Sequence, residues 1–223
     1  MSCKFLQMLW FLSLVTPNYS KFEKTHQFKW DSVFVKGVDS VYHSRGRVFY
    51  RLAQIYCESG FNPRASSDFA NWKRQRIDTV TAIRTRKGAA GLSQFVWPTA
   101  ERYGATTIDP SQADADTLSS DIYNPQWSLP AMSRYMVSIE RLLMTTKNRN
   151  ARRALLSDIH FRELCVTSGY NTGEGRILGV LNRSGGDWEV IKYEILPEPR
   201  LYAERIVSIA KIMRTEARWQ SLK

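Results

Sequence analysis

The chain has 223 residues, of which 43% are hydrophobic and 12% aromatic, so it can bury a core and is not a disordered polypeptide. Its formal net charge is +11 and its pI is about 9.7, which favours an anionic partner such as nucleic acid, an anionic membrane surface or an acidic polymer. Charge alone does not choose among these partners.

Cysteine and histidine are scarce, with three residues of each. None of the cysteines (Cys3, Cys57 and Cys165) belongs to a CxxC pair or to a Cys/His cluster with zinc spacing, so we expect no metal and no cofactor. Cys57 and Cys165 could form a disulfide if the chain is exported. The alternative is two buried free thiols.

The N-terminus contains an apolar run from Phe5 to Val15 that follows Lys4 and is interrupted only by Gln7 and Ser13. Such a run resembles the central region of a signal peptide and is too short for an ordinary membrane-spanning helix. We therefore predict an export or membrane-tethering segment within residues 1–20, inside an N-terminal segment 1–38. A helix packed on the domain is the alternative.

The first helix of the domain is predicted over about residues 39–57. Val48, Leu52 and Ile55 recur at spacings of four and three, which is the period of one helix face. Gly60, followed by a proline at position 63, ends this helix.

The next part of the chain is predicted to be mostly loop. Residues 68–87 are polar and basic, and we interpret them as an inserted loop that is either a solvated surface or a charged flap. Short helices are predicted near Leu92 and near Pro98, the second ending at Gly104, and the stretch from 105 to 124 is typical of a loop.

The C-terminal half is predicted to be helical. Asn124 and Pro125 form a typical helix start, with a capping side chain before a proline in the first turn. Further helices are predicted over residues 152–168 and from about Pro199, separated by a turn at YNTGEG (170–175). No convincing set of strands is present, so the fold class is mainly α, with one domain over residues 39–223.

Four segments, in this order, resemble the motifs of the soluble lytic transglycosylase family, which has the goose-type lysozyme fold. They are ESGFNPRAS, GAAGLSQFVWPTA, SGYNTGEGRI and LPEPRLYAERI. The sequence departs from the family pattern at the insertion 68–87 and at Ser93, Gly169 and Pro199, where methionine, alanine and threonine are usual.

The resemblance implies a set of site residues on the positions that match those motifs. Glu58 corresponds to the catalytic acid. The implied contacts to substrate, or to the acid itself, are Ser67, Gln94, Tyr170, Asn171 and Glu198. Each has an alternative structural explanation: turn residue for Ser67, surface amide for Gln94, core aromatic for Tyr170, helix cap for Asn171 and helix N-terminal carboxylate for Glu198.

Glu58 lies where an apolar helix face ends at a tight turn, and this position suits an acid catalyst. Burial against apolar side chains raises the pKa of a carboxyl group, so that it can still hold a proton near neutral pH. By resemblance, Glu58 protonates the glycosidic oxygen of peptidoglycan and then accepts a proton from the 6-hydroxyl of muramic acid. That hydroxyl closes a 1,6-anhydro ring and no water is consumed.

Two alternatives remain open at the level of sequence. A lysozyme of the same fold would add water and would need a second carboxylate, for which Asp68 is the candidate. A basic structural or nucleic-acid-binding protein of a virion would keep the cleft without the reaction. We expect peptidoglycan as the partner, contact with anionic wall polymer or membrane, and a location in the periplasm, cell envelope or virion, and we do not expect nucleic acid.

Overall fold

The computed structural model describes residues 47–60, 65, 89–106 and 121–220, except the side chains of Val48, Met213 and residues 216–220. Several sequence-based predictions lie outside this part of the chain. They concern the N-terminal segment 1–38, Ser67, Asp68 and the insertion 68–87.

The described residues are mainly helical, which confirms the predicted fold class. The α-helices in chain order are α1 Val48–Ser59, α2 Trp97–Arg102, α3 Pro125–Leu143, α4 Arg149–Ser157, α5 Ile159–Thr172, α6 Glu174–Ser184, α7 Trp188–Glu194 and α8 Pro197–Gln220. A 3₁₀ turn, Asp121–Tyr123, precedes α3. The described part contains no named strand, only an isolated β-bridge between Ala90 and Phe95.

Helix α5 lies at the centre of the domain and packs against α3, α4, α6 and α8, while α1 packs against α8. Its consecutive residues from Cys165 to Gly169 are all buried, so it has no single apolar face. A helix that is enclosed on all sides needs no alternation of apolar and polar residues. Small residues such as Thr167, Ser168 and Gly169 allow the neighbouring helices to approach closely.

Helix α1 confirms the prediction for its C-terminal part. Leu52 and Ile55 are buried in the core. Gly60 ends the helix in the left-handed region, with φ of 58°, and its N–H donates to the carbonyl oxygen of Tyr56 at 2.9 Å. A residue with a side chain adopts this conformation at a cost, which explains why glycine follows the helix.

Helix α3 begins as predicted. The side chain of Asn124 accepts a hydrogen bond from the backbone N–H of Gln126 at 2.9 Å, and Pro125 occupies the first turn. The short helix at Pro98 is also present, as α2.

Two predictions for the secondary structure were wrong, and two helices were missed. Residues 91–94, where a helix was predicted near Leu92, form a turn closed by the Ala90–Phe95 bridge. The predicted helix 152–168 is two helices, because the Asp158 side chain caps the N–H groups of His160 and Phe161 and starts α5 afresh. Helices α6 and α7 were not predicted.

Both Cys57 and Cys165 are free thiols. Cys165 is fully buried and Cys57 is half-buried. Burial raises the pKa of the Cys57 thiol to about 11, and the charge of neighbouring Glu58 adds to the rise, so this thiol stays protonated at neutral pH.

A buried ionic cluster joins α1, α3 and α5 at the N-terminal end of α1. Glu163 is fully buried and faces two arginines, hydrogen-bonding with Arg51 and lying 3.4 Å from Nε of Arg47. Arg47 also donates from Nη2 to Oε1 of Glu140 at 2.8 Å, and Arg162 lies 3.4 Å from the same oxygen. Buried charges persist only when they are paired in this way.

Replacing Glu163 with Gln is expected to lower the free energy of unfolding by about 3 kcal/mol, because the change removes a negative charge that faces two buried guanidinium groups. Urea denaturation at pH 7 measures the effect. The control is Glu189→Gln, which removes an exposed partner of Lys192 and should cost less than about 1 kcal/mol. Equal losses in the two variants would show that the buried cluster contributes no more than a surface pair.

Candidate active site

Glu58 lies in the last turn of α1, immediately before the left-handed Gly60. Tyr202 of α8 donates a hydrogen bond from its hydroxyl to Oε1 of Glu58. Glu58 is half-buried, so part of the residue remains accessible to solvent. The two helices that pack against each other, α1 and α8, therefore fix the position of this carboxyl group.

Burial raises the pKa of Glu58 to about 7, and the hydrogen bond from Tyr202 opposes this rise because it stabilises the charged form. The C-terminal end of α1 also disfavours negative charge, since helix carbonyls point toward it. At neutral pH the carboxyl group therefore exchanges a proton readily, which is the property required of a general acid and base.

Tyr202 connects Glu58 to the buried ionic cluster. The pKa of Tyr202 is raised well above its usual value by burial and by the Glu58 charge, while a side-chain hydrogen bond with Gln54 lowers it. Gln54 is fully buried and accepts a hydrogen bond on Oε1 from Arg51 at 2.8 Å. Arg51 therefore holds Gln54 in place, and Tyr202, whose pKa Gln54 influences, holds Glu58.

Gln94 lies in the turn between the bridged residues Ala90 and Phe95. Its backbone is left-handed, with φ of 46°, and its side-chain amide donates to the carbonyl oxygens of Gly91 at 2.8 Å and of Ala65 at 3.1 Å. The N–H of Gly91 donates to the same Ala65 oxygen at 2.8 Å. This turn therefore holds the chain segment that follows Glu58.

Tyr170 of α5 supports the same turn. Its hydroxyl donates to the carbonyl oxygen of Ser93 at 2.6 Å. Its ring lies 5.1 Å from the ring of Tyr135 and 6.2 Å from that of Phe95, measured between centroids. Tyr170 also contributes to the raised pKa of Tyr202.

The other predicted site residues are not joined to Glu58 by any contact in the described part of the chain. Asn171 is exposed in the last turn of α5, and the cap of that helix is Gly173, with φ of 92°. Glu198 is exposed in the first turn of α8. Ser67 lies outside the described residues.

Tyr202 and Gln54 were missed as site residues. Tyr202 stands in the segment LPEPRLYAERI, four residues after Glu198, so its motif position was an available signal. Gln54 precedes Glu58 by four residues and therefore lies on the same side of α1, but a polar residue at that spacing is common on helices.

In the described part of the chain, no group of three or more His, Cys, Asp or Glu side chains is arranged to hold a metal ion. None of the described helices is both long and apolar enough to cross a membrane.

The Transglycosylase SLT domain family matches residues 40–188, which is more than half of the chain. The chain belongs to this family. The lysozyme-like helical fold and a lytic transglycosylase-type activity on peptidoglycan follow from that membership. Neither a curated protein nor a solved structure gives a significant match. The match contains Glu58, Gln94 and Tyr170 and ends before α8, so it does not include Tyr202, whose contact with Glu58 comes from the packing of α8 against α1.

Proposed function

We propose that this SLT-domain protein cleaves the β-1,4 bond between N-acetylmuramic acid and N-acetylglucosamine with Glu58 as the only acid and base. The observation that supports the proposal most directly is the pKa of Glu58, which burial raises to about 7. Burial is the main cause of that rise, and no described carboxylate is among its causes. A mechanism in which one carboxyl group acts first as acid and then as base is consistent with such a site.

The proposed reaction has two proton transfers. Protonated Glu58 donates to the bridging oxygen as the bond from that oxygen to C1 of N-acetylmuramic acid breaks, and the sugar's own N-acetyl group shelters the positive C1. The resulting carboxylate then takes the proton of the 6-hydroxyl, whose oxygen bonds to C1. Glu58 is protonated again at the end, and the product carries a 1,6-anhydro ring.

Gln94 and Tyr170 are proposed to form the wall of the cleft. The amide nitrogen of Gln94 is engaged by backbone carbonyls, which leaves Oε1 as an acceptor for a sugar hydroxyl or acetamido N–H. Tyr170 holds this turn through the hydrogen bond from its hydroxyl to the carbonyl oxygen of Ser93. Ser67, Asn171 and Glu198 remain proposed substrate contacts, and exposure of the last two leaves them accessible to a long glycan.

We propose a location in the periplasm or cell envelope, or on a virion, because the substrate lies there. The test is digestion of purified peptidoglycan followed by mass spectrometry of the released muropeptides. Products that end in 1,6-anhydromuramic acid, lighter by one water than hydrolysed ones, are expected from the wild type and not from Glu58→Gln. Reducing-end products would instead establish a lysozyme, and no product from the wild type would overturn the enzymatic proposal.

Tyr202→Phe is expected to shift the alkaline limb of the pH–activity profile upward by about one pH unit. The Tyr202 hydroxyl stabilises ionised Glu58 and so lowers its pKa. Losing one hydrogen bond to a charged group, worth about 1.5 kcal/mol, therefore raises the pKa by about one unit. The measurement is kcat/KM on soluble glycan strands from pH 5 to 9. Tyr193→Phe, at a position that is 75% exposed, is the matched control and should leave the profile unchanged. A downward shift in Tyr202→Phe would contradict the assigned role.

A further inference from the structure

The outer face of α4 carries three exposed arginines, Arg149, Arg152 and Arg153. Together with Leu156 and Ser157 they line an open cavity of about 430 Å³. The spacing of these five residues places them on one side of the helix, while Ala151 and Leu155 on the other side are buried in the core. We call the five cavity-lining residues the arginine face.

None of the five residues of the arginine face is a carboxylate. The chain from Arg141 to Ser157 contains five lysines and arginines and no carboxylate. In the described structure, Arg149, Arg152 and Arg153 form no ion pair, in contrast to the buried pairs of Arg47 and Arg51. Clustered like charges repel one another, so this arrangement costs stability unless an anion is bound there.

The arginine face contains none of the candidate active-site residues. Helix α4 leads through Asp158 into α5, and the first turn of α5 contacts the start of α1, where the Tyr50 hydroxyl lies 2.6 Å from Nδ1 of His160. Tyr50 and Glu58 are separated by about 12 Å along the helix axis. The cavity is therefore separate from the candidate active site.

The chemistry of the face selects among anionic partners. Guanidinium groups bind phosphate oxygens with paired hydrogen bonds. Leu156, which is 63% exposed, adds an apolar contact beside them, and none of the described residues that line the cavity has an aromatic ring on which a base could stack. A helix that combines arginines with an exposed apolar side chain is typical of a membrane interface, where phosphates adjoin hydrocarbon.

We propose that the arginine face docks on the surface of an anionic phospholipid bilayer. The arginines contact lipid phosphates, and Leu156 enters the boundary between headgroups and acyl chains. The proposal does not depend on the reaction assigned to Glu58.

The test is sedimentation of the full chain with vesicles of phosphatidylcholine alone or with phosphatidylglycerol added. The measured quantity is the partition coefficient on vesicles with phosphatidylglycerol divided by that on phosphatidylcholine alone. Attachment through any other apolar segment contributes to both coefficients and cancels in this ratio. In Arg149→Gln/Arg152→Gln/Arg153→Gln this ratio should fall at least about tenfold, since each cation near an anionic surface contributes about fivefold. It should fall with added salt in the wild type.

The matched control is Arg102→Gln/Arg134→Gln/Arg176→Gln, which removes the same charge from exposed positions elsewhere; Arg102, for example, lies 3.9 Å from Glu174 at the start of α6. The control should keep the wild-type ratio. Leu156→Ser should weaken binding to vesicles but not to inorganic polyphosphate. Circular dichroism and melting curves establish that each variant is folded.

Three results would overturn the proposal. They are equal binding of the wild type to both kinds of vesicle, an equal loss in the control variant, and arginine-dependent binding to polyphosphate or DNA without binding to vesicles. The last result would assign the face to a phosphate polymer instead of a membrane.

Discussion

Glu58→Gln is expected to reduce the rate of release of 1,6-anhydro muropeptides by about a thousandfold or more. A glutamine cannot donate or accept the proton that both steps require, and positioned acid–base groups commonly contribute factors of about 10² to 10⁴ in each proton transfer. Mass spectrometry of timed digests measures the rate. The control is Glu101→Gln, which removes a carboxylate from an exposed position on α2 and should retain wild-type activity.

Glu58→Gln should also be more stable than the wild type in alkaline solution. This result would show that the variant loses activity without losing its fold. The pKa of Glu58 is raised from 4.5 to about 7, so the folded state holds a proton that the unfolded state has released. The contribution of Glu58 to wild-type stability is therefore highest below pH 4.5. It declines as pH rises from 4.5 through 7.

The full linkage of a shift of this size is about 3 kcal/mol, and partial exposure of Glu58 reduces the expected gain to about 2 kcal/mol at pH 8. Urea denaturation of the two proteins at pH 5 and at pH 8 measures the difference. A variant that is inactive and equally unstable at both pH values would argue that Glu58 is structural.

The motif spacing predicted the most important site residue but not the environment that makes it reactive. Glu58 was predicted from the segment ESGFNPRAS and from the end of an apolar helix face. Its burial depends on Tyr202, which is 144 residues away in the chain. A contact of that kind arises from the packing of α1 against α8, and no local periodicity in the sequence contains it.

Local sequence patterns also failed to predict several helix boundaries, because these depend on tertiary packing. Helix α5 is enclosed on all sides, so its boundaries could not be read from an alternation of apolar and polar residues. Asp158 separates it from α4 by capping, and an aspartate within a charged stretch does not distinguish a cap from a surface residue. Helix α6 contains two glycines, Gly175 and Gly179, which lower its intrinsic propensity and concealed it.

Gln94 shows how one residue serves both the fold and the proposed site. The sequence predicted a cleft residue or a surface amide. The structure shows an amide that holds the backbone of the turn and of Ala65, which the sequence alone did not indicate. A residue fixed in this way is suited to substrate binding, because little conformational entropy is lost when its remaining oxygen accepts a hydrogen bond.

The turn that carries Gln94 depends on Gly91, and Gly91→Ala is expected to disrupt it. Gly91 has φ of 78°, and a Cβ atom added there would lie 1.9 Å from the carbonyl oxygen of Ile122. Both partners are backbone, so the turn and the 3₁₀ segment Asp121–Tyr123 must separate. We expect a loss of about 4 kcal/mol in the free energy of unfolding, from overlap and from the strained φ together.

The matched control is Gly175→Ala in α6, where φ is not positive and no atom lies within 4 Å of an added Cβ. A helical alanine should leave stability unchanged or raise it by about 0.5–1 kcal/mol. Thermal melts measure the effect of each substitution on stability, and muropeptide release measures its effect on activity. If the Gly91 variant folds, Gln94 and the Ala65 backbone lose their common anchor and Gln94 leaves the position proposed for substrate binding, so activity should fall far more than in the control. A Gly91 variant with wild-type melting and wild-type activity would show that the turn tolerates displacement and that its close approach to Ile122 is not required by the site.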